Sequence, residues 1–254
     1  MKRFIKIAKS SKIYIFSLIF IAILVFVSLI APLLPIDPAA TDVANLSQSP
    51  SLQHLFGTDE VGRDYFIRVI YGGRISLIVG LLAMVTAVTI GTIVGLIAGY
   101  VGGVVDTLLM RLVDVLSSIP WLVLVIVLSV FLKPGIGSII IVIGCFSWMH
   151  LARLVRAETL SAKEYDYVVY SRFSGVKTIS ILKKHIIPAI IPTLVVAASA
   201  SIANAIMTEA ALSFLGLGIQ QPMTSWGTLL QNAQQSLQRA PHMAIIPGLF
   251  VMLT

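Results

Sequence analysis

The chain has 254 residues, of which 57% are apolar and only 11% charged. A soluble domain carries about 25% charged residues, so at a mean hydropathy of +0.98 there is too little charge to wet a globule of this size. That excludes a soluble enzyme, and the same apolar excess excludes a disordered chain. The net charge of +7 and pI near 9.7 would suggest nucleic acid in a soluble protein; in a membrane protein the question is which loops hold the charge.

A spanning helix needs about 20 largely apolar residues to cross about 30 Å of hydrocarbon. A basic tail at 1–12 (Lys2, Arg3, Lys6, Lys9, Lys12) precedes the first charge-free run, Ile13–Ala31. That run exceeds the roughly 7–15 residues of a signal-peptide apolar region, so an uncleaved first span is expected at 13–34. An extracytoplasmic loop with an amphipathic helix follows at 35–74. Its Glu60 and Arg63, and its Asp64 and Arg68, stand at helix-pair spacings, which suggests a structural helix with mutually satisfied charges. The spacing of charges predicts further spans at about 75–99, 107–132, 136–152 and 188–212. A last apolar run, 243–254, is only about 18 Å of helix. It reads as part of a sixth span at which the chain stops, and on that reading the function of this polypeptide would be impaired.

Orientation follows from the basic residues. The tail and the 153–187 loop (Arg153, Arg156, Lys163, Arg172, Lys177, Lys183, Lys184) hold most of them, which places both in the cytoplasm. Segments 35–74 and the polar 216–242 loop then lie outside. Cys145 is the only cysteine, so no intrachain disulfide can form.

Gly91, Gly95 and Gly99 form a small-xxx-small ladder in the second span, suited to close helix packing. In the 153–187 loop, Ser161 and Glu164 have the spacing of a capping box, predicting a helix from there to about Ser174 with Gly175 just past its end. Tyr165, Val168, Val169 and Arg172 then share one face. A second short helix, with Ile179, Leu182 and Ile186 on one face, runs to Pro188. Two amphipathic helices are long for a mere connection and suggest a docking element. Glu209, an acid at the end of an apolar run, is a candidate intramembrane polar group, with a helix-terminal structural role equally open. There is no phosphate-binding G-x-x-x-x-G-K-[ST], no H-E-x-x-H and no G-x-S-x-G. His54, His150, His185 and His242 are far apart in sequence. No catalytic residue, metal site or bound cofactor is expected.

Four blocks carry a family resemblance. Phe56-Gly57-Thr58-Asp59-Glu60-Val61-Gly62-Arg63-Asp64 resembles the stretch LGTDxxGRD. Ile70-Tyr71-Gly72-Gly73-Arg74-Ile75-Ser76-Leu77 resembles YGxRxSL. Glu209 to Gly218 (EAALSFLGLG) and Pro222 with Ser225-Trp226-Gly227 complete the match. Together they resemble the inner-membrane permeases of bacterial ABC importers for dipeptides, oligopeptides or nickel, of the second permease type. The family's cytoplasmic E-A-A-x-x-x-G motif, ending in HxLP, aligns with Gly175 and His185-Ile186-Ile187-Pro188, and its E-A-A positions hold Val169, Tyr170 and Ser171.

The resemblance implies an all-α membrane bundle with the type I ABC importer permease fold, made of five full spans and a truncated sixth. It implies half of a translocation pore completed by a second homologous permease, with two ATP-binding subunits holding the nucleotide and an extracytoplasmic solute-binding protein, in the lipid bilayer of the bacterial inner membrane, with no nucleic-acid partner. The ATPase-coupling set is then Glu164, Tyr165, Val168, Val169, Arg172, Gly175, His185 and Pro188. The competing expectations are an ion-coupled secondary transporter and a membrane-embedded enzyme. The first would show intramembrane charges and inverted repeats, and the second converging polar residues.

Overall fold

In the computed structural model, residues 12–33, 36–132 and 135–254 are described. Most of the basic tail and Lys133 lie outside them. Among the described residues the secondary structure is helical, apart from one isolated antiparallel bridge between Thr58 and Asp64. In chain order the helices are α1 (Lys12–Ile30), α2 (Tyr65–Val101), α3 (Gly103–Ser117), α4 (Trp121–Phe131), α5 (Ile136–Ala162), α6 (Asp166–Phe173), α7 (Thr178–Phe214), α8 (Trp226–Ala233) and α9 (His242–Leu253). Four segments, Ile15–Leu33, α2, α5 and α7, are long and apolar enough to cross a membrane.

The chain folds as two compact units, one made of the residues up to Ile78 with Glu209–Thr254, the other of Val79–Thr208. In the first unit the start of α2 is set by Asp64, whose Oδ1 accepts the Ile67 N–H at 3.1 Å, satisfying one of the donors that a helix start leaves open. No separate amphipathic helix precedes it. Residues 36–64 are turns, and the Glu60–Arg63 and Asp64–Arg68 pairings expected there give way to other partners. Asp64 accepts from His54 Nδ1 at 2.9 Å, Glu60 accepts from the Ser236 hydroxyl, and both arginines turn to Asp59. Helical spacing does not apply to a segment folded as turns. Phe250 of α9 stacks on Trp226 at 5.6 Å between ring centroids and on Phe20 of α1 at 6.3 Å.

In the second unit the glycine ladder of α2 meets α5. A Cβ at Gly91 would stand 2.7 Å from the Leu151 Cβ, one at Gly95 2.7 Å from the Ala152 carbonyl oxygen, and one at Gly99 2.7 Å from the Thr159 Cβ. The two backbones are therefore as close as glycine allows, and close approach is the source of van der Waals gain between helices. The contact also explains the length of α5. Its charges begin at Arg153, yet the helix continues ten residues to Ala162, because Val155, Thr159 and Ala162 are buried on this seam.

The predicted span at 107–132 is two helices. The residue before a proline is pushed out of the α region, and α3 ends at Ser117, just before Ser118-Ile119-Pro120, with α4 restarting at Trp121. Arg156 of α5 holds Asp106 of α3 through a two-pronged pair, with Nη2 2.6 Å from Oδ2. Arg153 reaches Asp114 at 3.0 Å.

Candidate functional site

Two clusters gather the chemistry-bearing side chains. The first is cytoplasmic on the charge-based orientation and lies within the second unit. Ser161 is not an N-cap. It belongs to the last turn of α5, and α6 begins at Asp166 after Tyr165, with no side-chain cap. The capping-box reading is thus corrected: packing along the glycine seam keeps 161 helical. At its far end, α6 closes on Gly175 with φ +74°. The Gly175 N–H bonds to the Arg172 carbonyl at 3.2 Å and the Val176 N–H to the Ser171 carbonyl at 3.1 Å, which is the Schellman arrangement. No atom crowds a Cβ at Gly175; the left-handed backbone alone favours glycine there.

Of the face expected to dock, only part points outward. Val168 is buried in a core with Leu96, Val155, Ala162, Ile181, Ile186 and Ile190. Val169 is half-buried, while Glu164, Tyr165 and Arg172 are exposed. His185 is half-buried, its Nε2 3.3 Å from the Ser171 hydroxyl and its ring 5.6 Å from that of Tyr167. Pro188 is exposed and does not separate two helices. A π-turn at Leu182–Ile186 carries the chain through, with the Ile187 N–H bonded to the Leu182 carbonyl. The wider turn accommodates a proline that can neither donate nor fit its ring against the preceding turn. The short helix and the span therefore run on as one 37-residue helix, α7.

The most exposed apolar side chains of this segment are Phe173 at 87%, Tyr170 at 75% and Ile179 at 66%; the first two stand outside the faces that the spacing argument picked, while Ile179 belongs to that of the second short helix. The signal for Tyr170 and Phe173 was readable as aromatic residues three apart (167, 170, 173). Below them, Val168, Ile181 and Ile186 fasten the segment to α2, α5 and α7.

The second cluster lies in the first unit. Asp59, 2% exposed, accepts four hydrogen bonds. Its Oδ1 takes the Val61 and Arg63 N–H groups, each at 3.0 Å. Its Oδ2 takes Arg63 Nε at 2.7 Å and Arg68 Nη1. Burial pushes its pKa up, but the Arg63 backbone and side chain, Arg68 and Val61 outweigh it, and the carboxyl is held below its ordinary value. Deeper in, Glu209 is fully buried. Its oxygens accept from the hydroxyls of Ser76 at 2.8 Å and Ser213 at 2.7 Å. Ser76 also accepts the Trp226 N–H at 3.3 Å, and the Trp226 indole donates to the Val69 carbonyl at 3.0 Å. A Cβ at Gly73 would lie 2.8 Å from the indole Cζ2, so glycine lets the ring lie on α2. Glu209 thus ties α2 and the end of α7 to the start of α8 through hydroxyls, a role that sequence left undivided between function and structure.

Residues 91–254 match the family of binding-protein-dependent transport system inner membrane components, and residues 1–50 match the N-terminal transmembrane domain of oligopeptide transport permease C. The chain is 38% identical to the oligopeptide transport system permease protein OppC of Bacillus subtilis, over 97% of this chain and 81% of that protein. It is 42% identical to OppC of Haemophilus influenzae, over 96% of this chain and 79% of the relative. The dipeptide transport system permease protein DppC of Bacillus subtilis is 38% identical, over 97% of this chain and 78% of its own.

Proposed function

The chain belongs to the family of binding-protein-dependent transport system inner membrane components, multi-pass membrane permeases and not enzymes, and from that premise we propose that it is one of two permease subunits of an ATP-driven importer of di- or oligopeptides. Peptides are preferred over nickel because the relatives it resembles are named for oligopeptide and dipeptide transport. The second permease completes the pore, two ATP-binding subunits hold the nucleotide on the cytoplasmic side, and a solute-binding protein delivers cargo from outside. The chain itself takes no cofactor. Its amino terminus is cytoplasmic, with spans at about 13–34, 75–99, 107–132 (broken at Pro120), 136–152 and 188–212, followed by the short apolar helix α9.

The observation that supports this best is the build of the 166–181 segment. An exposed apolar rim (Tyr170, Phe173, Ile179) sits on a buried base (Val168, Ile181, Ile186) continuous with α7. A nucleotide-driven partner that grips the rim pushes on one stiff helix, and a packed element with two discrete arrangements converts the push into alternating access. Glu164, Tyr165 and Arg172 flank the rim, while Gly175 fixes its turn.

The test is Phe173→Asp with Ile179→Asp. Both side chains are exposed, so the cost to folding is small, within about 0.5 kcal/mol per site. Membrane insertion and pairing with the second permease should persist, co-purification of the ATP-binding subunits should be lost, and uptake should fall to background. Undiminished co-purification overturns the coupling assignment.

A further inference from the structure

Two cavities of the first unit share a wall at Arg68. One, of about 320 Å³, is lined by Arg63, Arg68 and Arg74 together with Tyr71 and Thr224, and no acidic side chain lines it. The other, of about 260 Å³, is walled by Arg68 and by the amides Gln220, Gln221, Gln231 and Asn232. Together they fall within the range of small-ligand sites, about 300–1,000 Å³. Their chemistry is divided: guanidinium groups on one side, neutral amide donors and acceptors on the other.

The arginines are unequally committed. Arg68 is buried, held by Asp59 and, at 3.3 Å, by the Thr224 hydroxyl. Arg63 gives Asp59 its Nε. Arg74 is half-buried and forms no ion pair among the described residues. One carboxylate therefore serves two of the three cations, and the third faces a partly closed space in which a charge-assisted, two-pronged bond is stronger than in bulk water. A planar guanidinium matches a carboxylate in that geometry. The amides next door match the N–H and C=O groups of a peptide backbone.

We propose that these adjoining cavities seat a short peptide by its free C-terminal carboxylate, with Arg74 as the carboxylate anchor, Arg63 and Arg68 supplying the surrounding positive field, and the 220–232 amides reading the backbone. This rests on the peptide-importer reading and goes beyond it by naming the end of the peptide that is recognised and the residue that does it.

The assembled transporter, in phosphatidylcholine nanodiscs without its solute-binding protein, is presented with trialanine and with trialanine amide, and saturation transfer to each peptide is read by NMR. The free acid should receive transfer at least about tenfold more strongly than the amide, the worth of one charge-assisted pair. Arg74→Gln should abolish that preference, and Arg74→Lys, which keeps the charge and loses the fork, should fall between. Equal transfer to acid and amide in the wild type overturns the seat whatever the variants do, as does an acid preference undiminished by Arg74→Gln. ATP-driven uptake of trialanine by the wild type with its solute-binding protein separates the two levels. If peptide is imported and no acid preference is found, the carboxylate seat alone falls. If no peptide is imported, the peptide-importer reading falls and the seat with it.

Discussion

At the scale of single residues, the cluster of the first unit depends on Asp59. Removing one member of a buried ion pair leaves the other charge unpaired and costs about 3–5 kcal/mol. Asp59→Ala strands Arg68 among the packed turns of 36–64, so a loss of that order is expected in the thermal or denaturant stability of the purified protein, with Asp59→Asn losing less. A loss under about 1 kcal/mol would remove Asp59 from the centre of the cluster. Asp106, in the second unit, behaves similarly, since its hydrogen bond to Arg156 lowers its pKa. A depressed carboxyl adds stability that is complete above the ordinary value near pH 4 and is lost as pH falls through the folded value. The melting temperature should therefore decline below about pH 4, and Asp106→Asn should start lower at pH 7 and decline less. These partners were not readable beforehand. Asp59 and Arg68 are nine residues apart, and Asp106 and Arg156 fifty, so no local period joins them, and the pairs that helical spacing suggested at 60–68 assumed a helix that begins only at Tyr65.

At the scale of elements, periodicity and charge spacing located the long apolar helices, because a membrane interior imposes a length on them. They misjudged where helices end. The glycine ladder at 91, 95 and 99 was legible as a spacing, but not that α5 lies against it, and so not that α5 would continue past its first arginines. Pro188 looked like a boundary, while the break falls at Pro120; a π-turn relieves the first, and nothing equivalent bridges the second. The continuity of α7 makes a mechanical expectation. Lys183→Gly with Lys184→Gly softens the π-turn by about 1 kcal/mol per site without touching the buried Ile181 and Ile186. ATP hydrolysis by the assembled transporter should continue while uptake falls severalfold. Equal loss of both activities, or of neither, would deny α7 a part in transmission. At the glycine seam, Gly95→Leu should lower the melting temperature sharply, since even a Cβ there meets the Ala152 carbonyl and the Val155 Cβ at 2.7 Å.

At the scale of the whole molecule, the +7 charge is concentrated in the tail and the 153–187 segment, the pattern that a cytoplasmic placement of both predicts. The sole cysteine makes the orientation directly measurable. With Cys145 replaced by Ser, a single cysteine at Leu52 should react with an impermeant maleimide on intact spheroplasts, and one at Lys184 only after permeabilisation. Both positions are exposed, so reactivity reports sidedness; the reverse pattern would invert the topology. The family was readable from four short blocks because they place glycines, a tryptophan and a buried acid where backbones nearly touch. Of the proposed docking rim only the aromatic spacing was legible, because the chain's own packing does not fix which exposed side chains a partner would meet. Uptake of labelled peptide into proteoliposomes holding the two permeases, the ATP-binding subunits and the solute-binding protein tests whether nucleotide hydrolysis by bound partners drives import through this permease. Accumulation is expected with ATP and no ion gradient, and none with a non-hydrolysable analogue. Accumulation driven by a proton or sodium gradient in the absence of ATP would contradict it.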